Sequence, residues 1–111
     1  MASVPVTLNG SAPDGEYPSP YVCEAAMGDS IKFTALNSEF DVLIHNKDRF
    51  FDTSQDILNY NIKEGEHKET PPISTNLSAG LEKYYSAYCV LNNDFADKPE
   101  NSPPKIIVIS T

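Results

Sequence analysis

The stretch YYSAYCVLNN, residues 84–93, read with SPPKIIVIST, residues 102–111, decides the fold. An aromatic run that ends in a cysteine, then a loop, then a last strand of β-branched residues is how several β-sandwich proteins present a metal or a disulfide. Ile106, Ile107, Val108 and Ile109 form a continuous apolar run, the pattern of a strand covered on both faces. The segment 81–91 carries a Tyr-rich strand.

Outward from this pair, short apolar stretches separated by Gly, Pro, Asn and Asp recur along the chain. No i, i+3, i+4, i+7 stripe persists long enough for a helix. Residues 4–8 alternate as a first strand, residues 9–20 read as a connection, and residues 21–26 form the next strand. Gly28-Asp29 turns the chain into residues 30–36, where Ile31 and Phe33 face one side and Lys32 and Thr34 the other. Residues 37–39 turn it again into the strand 40–44, completing a hairpin. The polar segment 46–56 reads as a long loop that drops Phe50 and Phe51 onto the core. Residues 57–63 alternate with Leu58, Tyr60 and Ile62 inward, the charged segment 64–72 reads as a solvated loop, and residues 92–104 as another. Seven to eight such strands predict an all-β fold, a two-sheet antiparallel Greek-key β-sandwich.

The 111 residues accommodate one domain, 1–111, with 1–19 as first strand and connection and 20–111 as the core sandwich. Hydrophobic residues make up 40%, and six Tyr and five Phe supply bulky packing groups, enough for a core. Sixteen acidic against eight basic residues give a net charge of −8, a field that repels phosphate backbones and anionic lipid. Nucleic acid and membrane are therefore not expected partners. No apolar run approaches the roughly 20 residues of a membrane span. MASVPVTLNG has neither the basic start nor the apolar stretch of a signal peptide, which leads to the expectation of a soluble, cytoplasmic chain. Asn9-Gly-Ser and Asn76-Leu-Ser match the glycosylation tripeptide, which matters only in a secreted eukaryotic protein.

Three stretches in order carry a family resemblance. Residues 20–33 run Pro20, apolar strand positions, Gly28-Asp29 and an alternating strand; residues 40–44 are Phe-Asp-Val-Leu-Ile; residues 85–89, Tyr-Ser-Ala-Tyr-Cys, precede the Lys105-Ile-Ile-Val ending. The chain resembles the cupredoxins, the fold of plastocyanin and azurin, over most of residues 20–109. The resemblance implies a copper site of two imidazoles, a thiolate and a weak axial thioether. Position by position, only Cys89 matches. Phe40 stands where the first histidine is expected, Leu91-Asn92-Asn93 where the second would follow, and no Met occurs after Met27. The reading is a cupredoxin-like scaffold without cofactor, a non-enzymatic binding or protein-interaction module for a protein or small-molecule ligand. The alternative is an atypical copper site on Cys89 and His45; His67 lies in the charged 64–69 segment and reads as solvated.

Cys23 and Cys89 both fall on strands. They read either as buried free thiols or as a disulfide across the core of an extracellular sandwich. No Gly-rich phosphate loop, His-Glu-x-x-His or Cys-x-x-Cys is present, and neither histidine has a hydrolase context, so no enzyme is expected. Asn93, Asp94, Asp97, Glu100 and Asn101 gather oxygen donors in a spacing that matches no calcium loop. Binding residues concentrate on loops held by a rigid sandwich, which makes Arg49, Phe50, Phe51, Asp94 and Asp97 the candidates.

Overall fold

The computed structural model describes residues 2–10, 18–96 and 103–110. The described residues form ten strands and no helix: β1 (Ser3–Asn9), β2 (Val22–Ala26), β3 (Ser30–Leu36), β4 (Phe40–His45), β5 (Ile57–Ile62), β6 (His67–Glu69), β7 (Glu82–Tyr84), β8 (Ser86–Cys89), β9 (Asp94–Phe95) and β10 (Lys105–Ile109). They pair in the orders β1-β3-β6, β2-β10-β7 and β5-β4-β8-β9. The all-β sandwich expected from the alternating pattern is the fold observed.

Alternation sets which side chains go inward. On β3, Ile31, Phe33 and Ala35 are buried between partly exposed neighbours, and on β4 Phe40, Val42 and Ile44 are buried while Asp41, Leu43 and His45 face out. Val6 and Leu8 of β1 and Ile106 and Val108 of β10 meet them in one core. Full burial of each such side chain contributes about 1.5–3 kcal/mol, and no single one dominates.

The strands differ from the sequence reading in direction, number, continuity and partners: the expected 30–44 hairpin is not formed, because β3 pairs with β1 and β6 while β4 pairs with β5 and β8 in another sheet. The β1–β3 and β10–β2 ladders are parallel, with Val6 opposite Phe33 and Ile106 opposite Cys23, so the sandwich is mixed and not purely antiparallel. Alternation fixes which face a residue takes, not the direction of its neighbour. Two of the additional strands, β6 and β9, arise in segments read as loops. All of β6 is exposed, so no apolar periodicity marks it, yet it pairs with β3 through Lys32, Phe33 and Thr34.

The Tyr-rich segment read as one strand is divided. β7 pairs with β10 and β8 pairs with β4, in different sheets. Tyr85 lies between them, its backbone N–H donating to Pro104 O at 3.0 Å and its ring edge-on to Phe33 at 5.3 Å. Tyr85, Ala87 and Cys89 are buried, so the inward alternation continues while the chain changes sheet.

Candidate functional site

The pole of the sandwich around Cys89 is built from three turns meeting at the end of β8. Cys89 pairs directly with Phe40 across the antiparallel β8–β4 ladder, and both side chains are fully buried. The Cys89 thiol reaches the Ser38 hydroxyl at 3.5 Å. That hydroxyl donates to Glu39 O at 2.8 Å and accepts from Leu91 N–H at 3.0 Å, which ties the turn before β4 to the turn after β8. Gly10 closes the pole from the third side. A Cβ built there would stand 2.6 Å from Ser38 Cβ and 3.4 Å from Cys89 Sγ, so only glycine fits. Asn92 Nδ2 donates to Gly10 O at 3.1 Å and fastens the lid.

The imidazoles are elsewhere. His45 is exposed at the far end of β4, opposite Ile57, five strand positions from Phe40 and therefore roughly 16 Å away along the strand. The alternative pair Cys89 and His45 is thus not brought together. His67 is exposed at the start of β6, opposite Thr34. Among the described residues no three His, Cys, Asp or Glu groups converge as metal ligands would.

Both cysteines are buried and free in this structure. Cys23 pairs with Ile106 in the β2-β10-β7 sheet and Cys89 with Phe40 in the β5-β4-β8-β9 sheet. Burial, followed by the charge of Glu24, pushes the Cys23 thiol up to about 11, so it stays protonated and unreactive near neutrality. Beside it the Tyr85 hydroxyl is buried with no hydrogen-bond partner among the described residues, and burial followed by the proximity of Cys23 raises its pKa well above the usual phenol range.

The loop candidates separate into anchors and surface. Phe50 and Phe51 are fully buried and pack edge-to-face at 5.1 Å, so they hold the loop to the core, and Phe51 also lines a polar cleft beside Arg49. Arg49, at φ 59° in the left-handed region, turns its guanidinium back on its own loop. It donates to Asn46 O and Gln55 O at 3.0 Å each and to Asp56 Oδ1 at 2.8 Å. The organiser is Asn46, which the sequence reading passed over. It is fully buried, donates to Phe51 O and Gln55 O, and accepts from Phe51 N–H at 2.8 Å. Its signal was a lone Asn directly after a strand and before two aromatics. Asp94 is exposed on β9, where its carboxylate accepts from Phe95 N–H at 2.8 Å. Asp97, Glu100 and Asn101 lie outside the described residues.

Among the concave features of the described residues, two bear on a binding role. A polar cleft of about 380 Å³ runs between Arg49, Asp52, Thr53, Ser74 and Asn76. A groove of about 320 Å³ lies on the outer face of the β5-β4-β8-β9 sheet, lined by Asp41, Leu43, Asn59, Ser86, Tyr88 and Phe95. Four adjacent strands each contribute outward side chains to it. Sequence reasoning missed these six because register, and not spacing, assembles them. The available signal was Leu43 and Tyr88, large side chains at outward positions.

Two solved proteins align with most of this chain. A pseudoazurin from Sinorhizobium superimposes over 99% of this chain and 76% of its own, with a TM-score of 0.54 and 17% identity. The fold is cupredoxin-like. A Cu(I) amicyanin variant aligns over 94% of this chain and 81% of its own at 11% identity, with a TM-score of 0.49. No family model matches the chain, and no curated protein matches it in sequence. At 17% identity the likeness extends to the cupredoxin-like fold alone. A blue-copper centre takes two imidazoles and a thiolate in a trigonal set. Around Cys89 the described residues place the Phe40 side chain, the Ser38 hydroxyl and the Gly10 backbone, a set that does not fit that metal.

Proposed function

We propose that this chain is a non-enzymatic binding module, a cupredoxin-like scaffold that works without copper. The observation that carries the reading is Phe40 directly across the ladder from Cys89, with both side chains fully buried. An aromatic ring at that position supplies carbon where a ligand would supply nitrogen, and the Ser38–Gly10–Asn92 contacts close the remaining space. Fold alone confers no electron transfer, because function belongs to the site built on it. The buried thiol of Cys23 is held protonated, which favours a packing role over a nucleophilic one. Among the accessible surfaces of the described residues, the outer face of the β5-β4-β8-β9 sheet, where Phe95 is 51% exposed beside the groove, supports this reading.

The test is a copper(II) titration followed by the visible thiolate-to-copper absorption. The native chain is expected to show no such band, whereas the Phe40→His, Asn92→His double variant is expected to gain one, because both positions adjoin Cys89. A band in the native protein overturns the copper-free reading. A double variant that folds and stays colourless shows that the Phe40–Asn92 pole is not equivalent to a metal site.

A further inference from the structure

Two lysines of this chain are held in the same manner. Lys83 Nζ sits 5.9 Å from the centroid of the Phe50 ring and 2.7 Å from Asp48 Oδ2. Lys105 Nζ sits 5.6 Å from the centroid of the Tyr84 ring and 3.0 Å from Glu82 Oε2. Each is an ammonium between an aromatic face and a carboxylate, where the ring quadrupole and the negative charge attract it together.

A third aromatic–carboxylate set occurs on the groove of the β5-β4-β8-β9 sheet, and no described residue supplies a cation to it. Asn61, Asp41, Tyr88 and Phe95 lie side by side across four strands in consecutive ladder register. Asp41 and Phe95 therefore flank Tyr88 from either side. The Tyr88 and Phe95 rings meet edge-to-face at 5.2 Å, and the Tyr88 hydroxyl is tied to Asn93 Oδ1, which fixes the aromatic wall. Leu43, Asn59 and Ser86 extend the floor in the next rung. Asp41 accepts one hydrogen bond, from Asn61 Nδ2 at 2.8 Å, and takes part in no ion pair among the described residues. The nearby Lys63 is engaged with Glu39 at 3.2 Å.

We propose that this groove binds a small organic ammonium ion, its charged head beside the Asp41 carboxylate and against the Tyr88–Phe95 wall, its carbon tail along Leu43. The proposal deepens the binding-module reading by naming the ligand class, and the two stand or fall separately. Copper uptake at Cys89 would end that reading, whereas the groove is tested on protein kept free of metal.

The probe is choline, titrated into isotope-labelled full chain in the presence of chelator and followed by amide chemical shifts. Its neutral isostere 3,3-dimethylbutan-1-ol serves as the control. Saturable shifts confined to residues 41, 43, 59, 86, 88 and 95 are expected, with a dissociation constant on the order of 1 mM because the site is open. The isostere is expected to bind about tenfold more weakly, and Asp41→Asn and Phe95→Leu to weaken choline by about tenfold and threefold. Equal binding of choline and isostere, an unchanged affinity in Asp41→Asn, or shifts that do not saturate or that map elsewhere, would overturn it. Phe95→Leu alone decides the aromatic contribution should the Asp41 variant fail to fold.

Discussion

Replacing Asn46 with alanine gives the sharpest energetic prediction. The side chain makes three hydrogen bonds inside the 46–56 loop, but their losses are unequal. Phe51 O still accepts from Thr53 N–H at 2.9 Å, and Gln55 O still accepts from Arg49 Nη1 at 3.0 Å. Each of those two losses should cost only about 0.5 kcal/mol. Among the described residues Phe51 N–H has no second acceptor, and Phe51 is fully buried, so its orphaned donor costs about 1–3 kcal/mol. The expected total is about 3 kcal/mol, a substantial share of the ~5–15 kcal/mol that stabilises a small domain. Urea unfolding followed by far-ultraviolet circular dichroism measures it, with the midpoint falling and the slope unchanged. Asn59→Ala, on the exposed face of β5, is the control and should stay within about 0.5 kcal/mol of the parent. A loss below about 1 kcal/mol in Asn46→Ala would refute the reasoning, since the orphaned N–H would then have found another partner.

Gly10→Ala forces a methyl to 2.6 Å from Ser38 Cβ and 3.1 Å from Asn37 O, so a destabilisation of about 1–3 kcal/mol is expected in the same urea assay, and an unchanged midpoint would contradict the tight pole. For Cys23 the folded state raises the thiol pKa to about 11 from its ordinary value of 9.0. The unfolded chain therefore releases its proton first, and the thiol's contribution to stability is full below about pH 9 and lost as pH rises toward about 11. The urea midpoint should fall over that window, less steeply in Cys23→Val, and equal slopes in both proteins would remove Cys23 as the cause.

How far the sequence carried this reading depends on what each residue's neighbours add. Alternation in 30–36, 40–44 and 57–63 located β3, β4 and β5, because one face of each is buried and the other wet. The aromatic pair Phe50-Phe51 was legible as an anchor for the same reason: two large apolar groups in a polar loop have nowhere else to go. Parallel pairing of β1 with β3 and of β2 with β10 was not legible, since a period of two is the same in either direction. Nor was the change of sheet at Tyr85, which leaves the inward alternation undisturbed. At the pole, Phe40 and Cys89 could be placed by resemblance, but Gly10 and Ser38 come from turns 28 residues apart and meet only in the folded chain. The groove is a product of register: Asp41, Tyr88 and Phe95 share a rung only because β4, β8 and β9 pair as they do.

The most direct test of the central claim is native mass spectrometry of protein purified without chelator, run beside a denatured, alkylated sample that counts thiols. The bare polypeptide mass and two alkylated cysteines, Cys23 and Cys89, are expected. A copper or zinc adduct would contradict the copper-free scaffold, and a mass lighter by two protons with no alkylation would contradict the free, buried thiols on which the architecture of the pole rests.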